Sequence, residues 1–264
     1  MKKKEITPGK TGINESTAYL RNESSNFRTL LNKLDHAQQC ISNKGNVGPK
    51  HPVKRFNYEL AVANEAIPEN GRETQEVFTE LSELVEGSFR VQSKNNLFNM
   101  IPNPLMDTMA ASMLMQVHNV NAIMDSYGGK SLLFEQKVAR SIGKLIGWEQ
   151  AFGISCNGGK LTMFYAIKAA VRRLVPDYEK NGLPGDLVFL VPSGGHYSIE
   201  QTCGILGIGS KNCVRIPMDP KTGMKEEALR EEFLRQVRRG KRVAAIISCG
   251  GTTIDFMHDD TQMI

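Results

Sequence analysis

Leu187-Val188-Phe189-Leu190-Val191-Pro192-Ser193-Gly194-Gly195-His196 is an apolar run of strand length that ends at a proline and opens into two glycines and a histidine. Such a run, bounded by turn residues, fits a strand buried on both faces, the condition of a parallel sheet. Comparable segments flank it. Ala151 to Cys156 reads as a short strand, Val214 to Pro217 as another, and Val243 to Ser248 as a third built from Val, Ala and Ile. Between them, Leu161 to Val175 reads as a helix stopped by Pro176, Ser198 to Leu206 as a second and Glu226 to Val237 as an amphipathic third. Strands alternating with helices predict an α/β fold: a mainly parallel sheet with helices on both faces. The chain shows no internal repeat.

Working outward, Val138, Ile142, Leu145 and Ile146 mark one face of a helix ending near Gly147, and Met106, Met109, Ala110, Met113, Leu114 and Val117 mark another. The methionine stripe is expected to be adaptable core. Phe27, Leu30, Leu31, Leu34 and Ile41 recur at helical spacing, as do Val77, Phe78, Leu81, Leu84 and Val85, with a loop from Gly45 to Pro52 between them. Residues 1 to about 26 are polar and too poor in apolar surface to order themselves, so a flexible arm is expected there. The predicted organisation is an N-terminal arm and helical segment over 1–90 and a sheet-bearing domain over 91–264.

Composition excludes several functional classes. The 264 residues are 40% hydrophobic and 23% charged, ordinary for a globular protein. The formal net charge of +5 gathers partly at Lys2 to Lys4 and around Arg238, Arg239, Lys241 and Arg242 without interleaved aromatics, which argues for solvated surface and against a nucleic-acid partner. No stretch reaches the ~18 consecutive apolar residues of a membrane span, so a cytoplasmic protein is expected. Cys40, Cys156, Cys203, Cys213 and Cys249 are scattered and form no C-x-x-C pair, which argues against both a disulfide framework and a metal site.

The candidate chemistry lies where strands end. Ligands of parallel α/β sheets bind outside the carboxyl ends of the strands, and a glycine turn leading into a helix presents backbone N–H groups to an anion. Asn157-Gly158-Gly159-Lys160-Leu161-Thr162 occupies such a turn. Gly158 and Gly159 permit close backbone approach, Lys160 adds a point charge and Thr162 a hydroxyl, a set suited to a phosphate. His196 follows the strand at 187–191, and Gly250-Gly251-Thr252-Thr253 follows the strand at 243–248. Three strand ends thus converge on one edge.

With their order and spacing, these segments resemble the group II pyridoxal-phosphate-dependent amino-acid decarboxylases. Further landmarks run from about Asn96 to Asp260, among them Asn119-Val120-Asn121, Glu135, Gly147-Trp148, His196-Tyr197-Ser198-Ile199, Leu206-Gly207-Ile208-Gly209, Pro217-Met218-Asp219, Gly223-Met224, Gly251-Thr252-Thr253 and Asp259-Asp260. The resemblance implies the fold-type I transferase architecture, pyridoxal 5'-phosphate as cofactor, an L-amino acid as small-molecule substrate, release of carbon dioxide and a dimer whose subunits both shape each site. It also implies that Gly158, Gly159, Lys160 and Thr162 bind the cofactor's phosphate, that His196 stacks on its ring and that Thr252 lies beside the ring substituents. His196 and Thr252 are accordingly the catalytic candidates.

Some positions depart from the family pattern. Lys160 stands where a small or hydroxyl residue is common, Met163 where Asn or Thr is frequent, and Phe256-Met257 where Gly-Ala follows the Gly-Thr-Thr segment. The His-Val-Asp-Ala-Ala segment, whose aspartate pairs with the ring nitrogen, and the later lysine that carries the cofactor have no counterpart here. The large domain is therefore expected to be truncated, its sheet one or more strands short, and the chain to act as a homodimer or as a heteromer with a polypeptide carrying the missing lysine. A non-catalytic binding or regulatory relic of the same fold is the alternative. A nucleotide-dependent oxidoreductase, resting only on Gly207-Ile208-Gly209-Ser210-Lys211-Asn212, ranks last because that segment lacks a third glycine and follows a helix.

Overall fold

The structure is a computed structural model that describes residues 24–43, 57, 59, 62, 63, 67, 71–84 and 102–264. The chain divides into two compact units, Met1–Val120 and Asn121–Ile264. The expected arm over 1 to about 26 lies outside the described residues except for its last three, which already belong to a helix, and the loop expected at Gly45 to Pro52 also lies outside them.

In the first unit, helices α1 (Ser24–Asn43) and α2 (Thr74–Leu84) pack against each other, as their amphipathic spacing predicts, with the side chains of His36 and Gln75 in contact. Helix α3 (Met106–Val117) carries the methionine stripe, and here the structure overturns an expectation. No residue of α3 is buried, and Met106 is 85% exposed. The apolar pattern makes the helix, but among the described residues it enters no core, and only Met113 and Val117 are half-buried.

The second unit holds the sheet. Its elements are α4 (Asp125–Gly128), α5 (Ser131–Leu145), α6 (Gly159–Leu174), α7 (Tyr178–Asn181), β1 (Leu187–Pro192), α8 (Ser198–Ile205), β2 (Cys213–Ile216), β3 (Met218–Asp219), β4 (Gly223–Met224), α9 (Glu226–Arg238) and β5 (Arg242–Ile246). The sheet order is β2-β1-β5, all parallel, with Phe189 opposite Cys213 and Leu187 opposite Arg242. Strand β1 lies in the centre and every one of its residues is buried. Its alternating side chains build two cores. Leu187, Phe189 and Val191 pack with Ile167 and Val171 of α6 and with Ile199 and Cys203 of α8. Leu190 packs with Ile216, Met224 and Leu229 of α9. Helices therefore cover both faces, which is why an uninterrupted apolar run is required at 187–191.

The segment Ala151 to Cys156 corrects a second expectation. It forms no strand. Its odd-numbered backbone groups are met by side chains of α5: Gln136 Nε2 donates to Gly153 O at 2.7 Å, Arg140 Nε to Ala151 O at 3.2 Å, and Ser155 N–H donates to Glu135 Oε1 at 2.7 Å. A strand needs a neighbouring backbone, and among the described residues none runs beside this segment, so the helix supplies the hydrogen bonds instead. The same arrangement explains the outer face of α5. Its polar side holds 151–155, leaving Phe134, Val138, Ile142 and Leu145 outward, each more than half exposed.

Beyond the sheet, β3 and β4 form a short antiparallel hairpin that the sequence pattern did not announce. The buried carboxylate of Asp259 ties it down, accepting from the Met224 N–H through Oδ1 and from the Cys249 N–H through Oδ2, both at 2.6 Å. Gly223 is obligatory beside it. Its φ is +75°, and a Cβ there would lie 2.2 Å from the His258 carbonyl oxygen.

Candidate functional site

Because the three strands are parallel, their carboxyl ends open on one edge. Ser193 N–H donates to Ile216 O at 2.8 Å and Ile247 N–H to Leu190 O at 2.9 Å, so the register persists into the loops after β1 and β5. The loop 193–197 carries His196, the segment 247–253 carries Thr252, and α6 begins at Gly159.

At the start of α6, Gly158 has φ +79° and an extended ψ, a conformation that turns the chain abruptly into the helix. The first intrahelical bond is the Thr162 N–H to Gly158 O at 3.4 Å, so the preceding amides of the first turn remain outside the helix ladder. Among the described residues, and apart from adjoining backbone, no heavy atom lies within 4 Å of a Cβ placed on Gly158 or Gly159. This open, amide-rich end suits an anion. Thr162 differs from its expected part: its hydroxyl donates to Gly158 O at 3.1 Å and so braces the turn from within.

Lys160 joins this turn to the β1 loop. Its ammonium lies 4.7 Å from the centroid of the Tyr197 ring, and that ring lies 4.2 Å from the His196 ring at an interplanar angle of 32°. Ser198 N–H donates to His196 Nδ1 at 3.1 Å, a geometry that selects the tautomer with its hydrogen on Nε2. The Ser198 hydroxyl lies 2.8 Å from the same nitrogen. His196 itself is exposed, with Nε2 free for a ligand among the described residues.

Thr252 reaches the same loop from the other side. A methyl group placed on Gly194 would lie 3.3 Å from Thr252 Cγ2 and 3.1 Å from the Met218 sulfur, so the loop after β1, strand β3 and the segment after β5 meet at Gly194. Thr252 is buried and its hydroxyl is committed locally, donating to the Asp255 carboxylate and accepting from the Met257 N–H at 2.9 Å. As placed, it offers the edge a methyl group and a fixed loop.

The residue that sequence reasoning missed is Arg215. Nη1 donates to the carbonyls of Gly195 at 2.7 Å, Pro192 at 3.0 Å and Ser193 at 3.3 Å, and Nε donates to Glu200 Oε1 at 2.8 Å. The signal was present: one arginine in Cys213-Val214-Arg215-Ile216, an otherwise apolar strand. Electrostatics elsewhere serve structure. Hydrogen bonds from the Ser155 hydroxyl and amide hold the Glu135 carboxyl below its usual range, and the Arg242 guanidinium does the same for Asp186 at the opposite end of the sheet. Contact with the Cys213 sulfur, together with burial, pushes the Cys203 thiol up. Among the described residues no three His, Cys, Asp or Glu side chains are grouped to hold a metal ion, and no helix is long and apolar enough to cross a membrane.

The pyridoxal-dependent decarboxylase conserved domain matches residues 57–264. The chain belongs to the pyridoxal-dependent decarboxylase family. Among curated relatives of this family, glutamate decarboxylase of Drosophila melanogaster is 28% identical over 173 residues, which are 64% of this chain and 34% of the fly protein. Human acidic amino acid decarboxylase GADL1 is 29% identical over 125 residues, 47% of this chain and 24% of the human protein. The fold also superimposes on the glutamate decarboxylase domain of diaminobutyrate-pyruvate transaminase and L-2,4-diaminobutyrate decarboxylase from Vibrio parahaemolyticus. The TM-score is 0.79 at 19% identity, over 92% of this chain and 56% of that one. The α/β fold with its parallel sheet is thus that of the fold-type I decarboxylases, and the chain spans about half of such a structure.

Proposed function

We propose that this chain is part of a cytoplasmic pyridoxal-phosphate-dependent L-amino-acid decarboxylase, a carbon-carbon lyase that releases carbon dioxide. The observation that carries the reading is that the loop bearing His196, at the carboxyl end of the central parallel strand, is touched by Lys160 of the Gly158-Gly159 turn through Tyr197 and lies beside Thr252 at Gly194, in a chain of this family. The residues fit the cofactor's chemistry. A helix start with unengaged amides and a neighbouring lysine suits a phosphate, and an exposed imidazole suits the face of an aromatic ring. Bound there, pyridoxal phosphate supplies an electron sink for the bond that breaks.

On this reading Gly158, Gly159 and Lys160 hold the phosphate, with Thr162 keeping the turn in shape. His196 lies against the ring, its tautomer fixed by Ser198. Thr252 borders the ring and anchors the 252–257 turn that closes the edge. The lysine that carries the cofactor and the aspartate that pairs with its ring nitrogen have no counterpart in these 264 residues, so both are assigned to another polypeptide segment. The exposed stripes of α3 and α5 support assembly, as a homodimer or as a heteromer with the chain bearing that lysine. The substrate class is acidic or aromatic L-amino acids, the acidic choice being supported by the names of the fly and human relatives.

The test is an absorbance spectrum with pyridoxal phosphate before and after borohydride reduction, for the chain alone and together with the polypeptide encoded immediately downstream. A visible band that borohydride bleaches, seen only in the mixture, establishes a decarboxylase whose lysine comes from the second polypeptide. No bound cofactor in either sample overturns the reading and leaves a non-catalytic relic of the fold.

A further inference from the structure

The guanidinium of Arg215 is the hub of the loop that presents His196. After Pro192 the chain turns back on itself, the Gly195 N–H donating to Pro192 O at 2.9 Å. That turn brings the carbonyls of Pro192, Ser193 and Gly195 together, and all three accept from one nitrogen of Arg215. Three converging carbonyl dipoles repel one another unless a cation lies among them. The second contact runs the other way along the chain, from Nε to Glu200 on α8. Arg215 therefore grips both ends of the short stretch from Gly195 to Glu200, and His196 lies inside it.

The grip governs the imidazole. His196 keeps its hydrogen on Nε2 only while the Ser198 N–H, at the first residue of α8, points at Nδ1. That alignment depends on the distance between the loop and the start of α8, the distance that Arg215 fixes. A lysine cannot reproduce this, because its single ammonium cannot serve the carbonyl cluster and a separate carboxylate with the fixed fork of a guanidinium.

We propose that Arg215 is a positioning residue, holding His196 in the orientation and tautomer with which it meets the cofactor. The link to the cofactor rests on the reading of His196 given above; the control of the ring by Arg215 does not. Glu200 is the secondary support, since its side chain is 39% exposed and it holds one of the four bonds.

The experiment follows the imidazole nitrogens of His196 by NMR in the full chain, assigned by comparison with His196→Gln, in wild type, Arg215→Met, Arg215→Lys and Glu200→Gln. Pyridoxal phosphate is titrated into each by equilibrium dialysis. Expected in wild type is a fixed Nε2–H form. Arg215→Met should move the His196 nitrogens toward the averaged values of two exchanging tautomers while His118 and His258 stay in place. Arg215→Lys should restore part of the wild-type signature, and Glu200→Gln should show the smallest change. Pyridoxal phosphate affinity should fall in the same order, by roughly tenfold to a hundredfold for Arg215→Met, the loss typical when a group orienting a binding residue is removed. Wild-type His196 resonances in Arg215→Met overturn the proposal; if that variant does not fold, wild-type resonances in both Arg215→Lys and Glu200→Gln do so. If the resonances move as expected but wild type binds no pyridoxal phosphate, the cofactor reading fails and the positioning role stands.

Discussion

Replacing Asp259 by alanine should destabilise the sheet-bearing unit by about 3–4 kcal/mol, and the figure can be assembled from the contacts. The carboxylate accepts two short hydrogen bonds from backbone amides, one at Met224 and one at Cys249. Met224 is 1% exposed, so its amide finds no water once the carboxylate is gone, at a cost of about 2–3 kcal/mol. The Cys249 backbone is only half-buried and regains a water partner, leaving about 1 kcal/mol. For a unit of this size the sum corresponds to a melting temperature lower by roughly 10 °C. Asp259→Asn separates charge from shape, because the amide fills the same space but turns an NH2 toward one of the two donors. It should lose about 2 kcal/mol. Urea unfolding followed by circular dichroism measures both, and exchange of the Met224 amide locates the damage. A loss below about 1 kcal/mol for Asp259→Ala would refute the reasoning, since it would mean that the two amides find other partners.

Three more outcomes follow from the same geometry. Gly223→Ala combines a positive φ with a Cβ inside contact distance of the His258 carbonyl and should destabilise by about 3 kcal/mol or more, read as loss of soluble protein or a collapsed urea midpoint. Glu135 has its folded-state pKa lowered by the Ser155 hydroxyl and amide, so its contribution is present above the unfolded value of about 4.3 and is lost as the pH falls through the lower folded value. The Ser155 amide resonance should shift over that acid window in wild type and stay flat in Glu135→Gln. Native-state alkylation should label Cys156 and Cys249, which are half-buried, and spare Cys203 and Cys213; fast labelling of Cys203 would contradict its burial and raised pKa.

Elements whose sequence pattern and packing agree were legible in advance. The run at 187–191 reads as buried because only a strand covered on both faces needs apolar residues at every position, and Glu226 to Val237 declares one apolar stripe and one charged side. That the loops carrying His196 and Thr252 leave the sheet at one edge was legible from the parallel direction of the strands, whereas the Gly158 turn, read as following a strand, follows a segment that forms none. Periodicity failed where an apolar pattern meets no partner among the described residues. Met106, Val138 and Ile142 sit at helical spacing, yet spacing cannot say whether anything lies opposite. It failed again at Ala151 to Cys156, whose strand-like composition is answered by Glu135, Gln136 and Arg140 from a helix. Arg215 and the committed hydroxyls of Thr162 and Thr252 are matters of side-chain direction, which residue type alone does not give.

The segment held by α5 has a further consequence for how the chain behaves in solution. Helix side chains satisfy residues 151, 153 and 155, but the backbone groups of Phe152, Ile154 and Cys156 meet no partner among the described residues, and the side chains of Phe152 and Ile154 are 74% and 54% exposed. Among the described residues one border of the segment is closed and the other is open to pairing with an extended peptide. This border adds to the apolar surface exposed on α3 and α5, and a charge placed at Ile154 should raise the solubility of the chain without touching the sheet beneath the site.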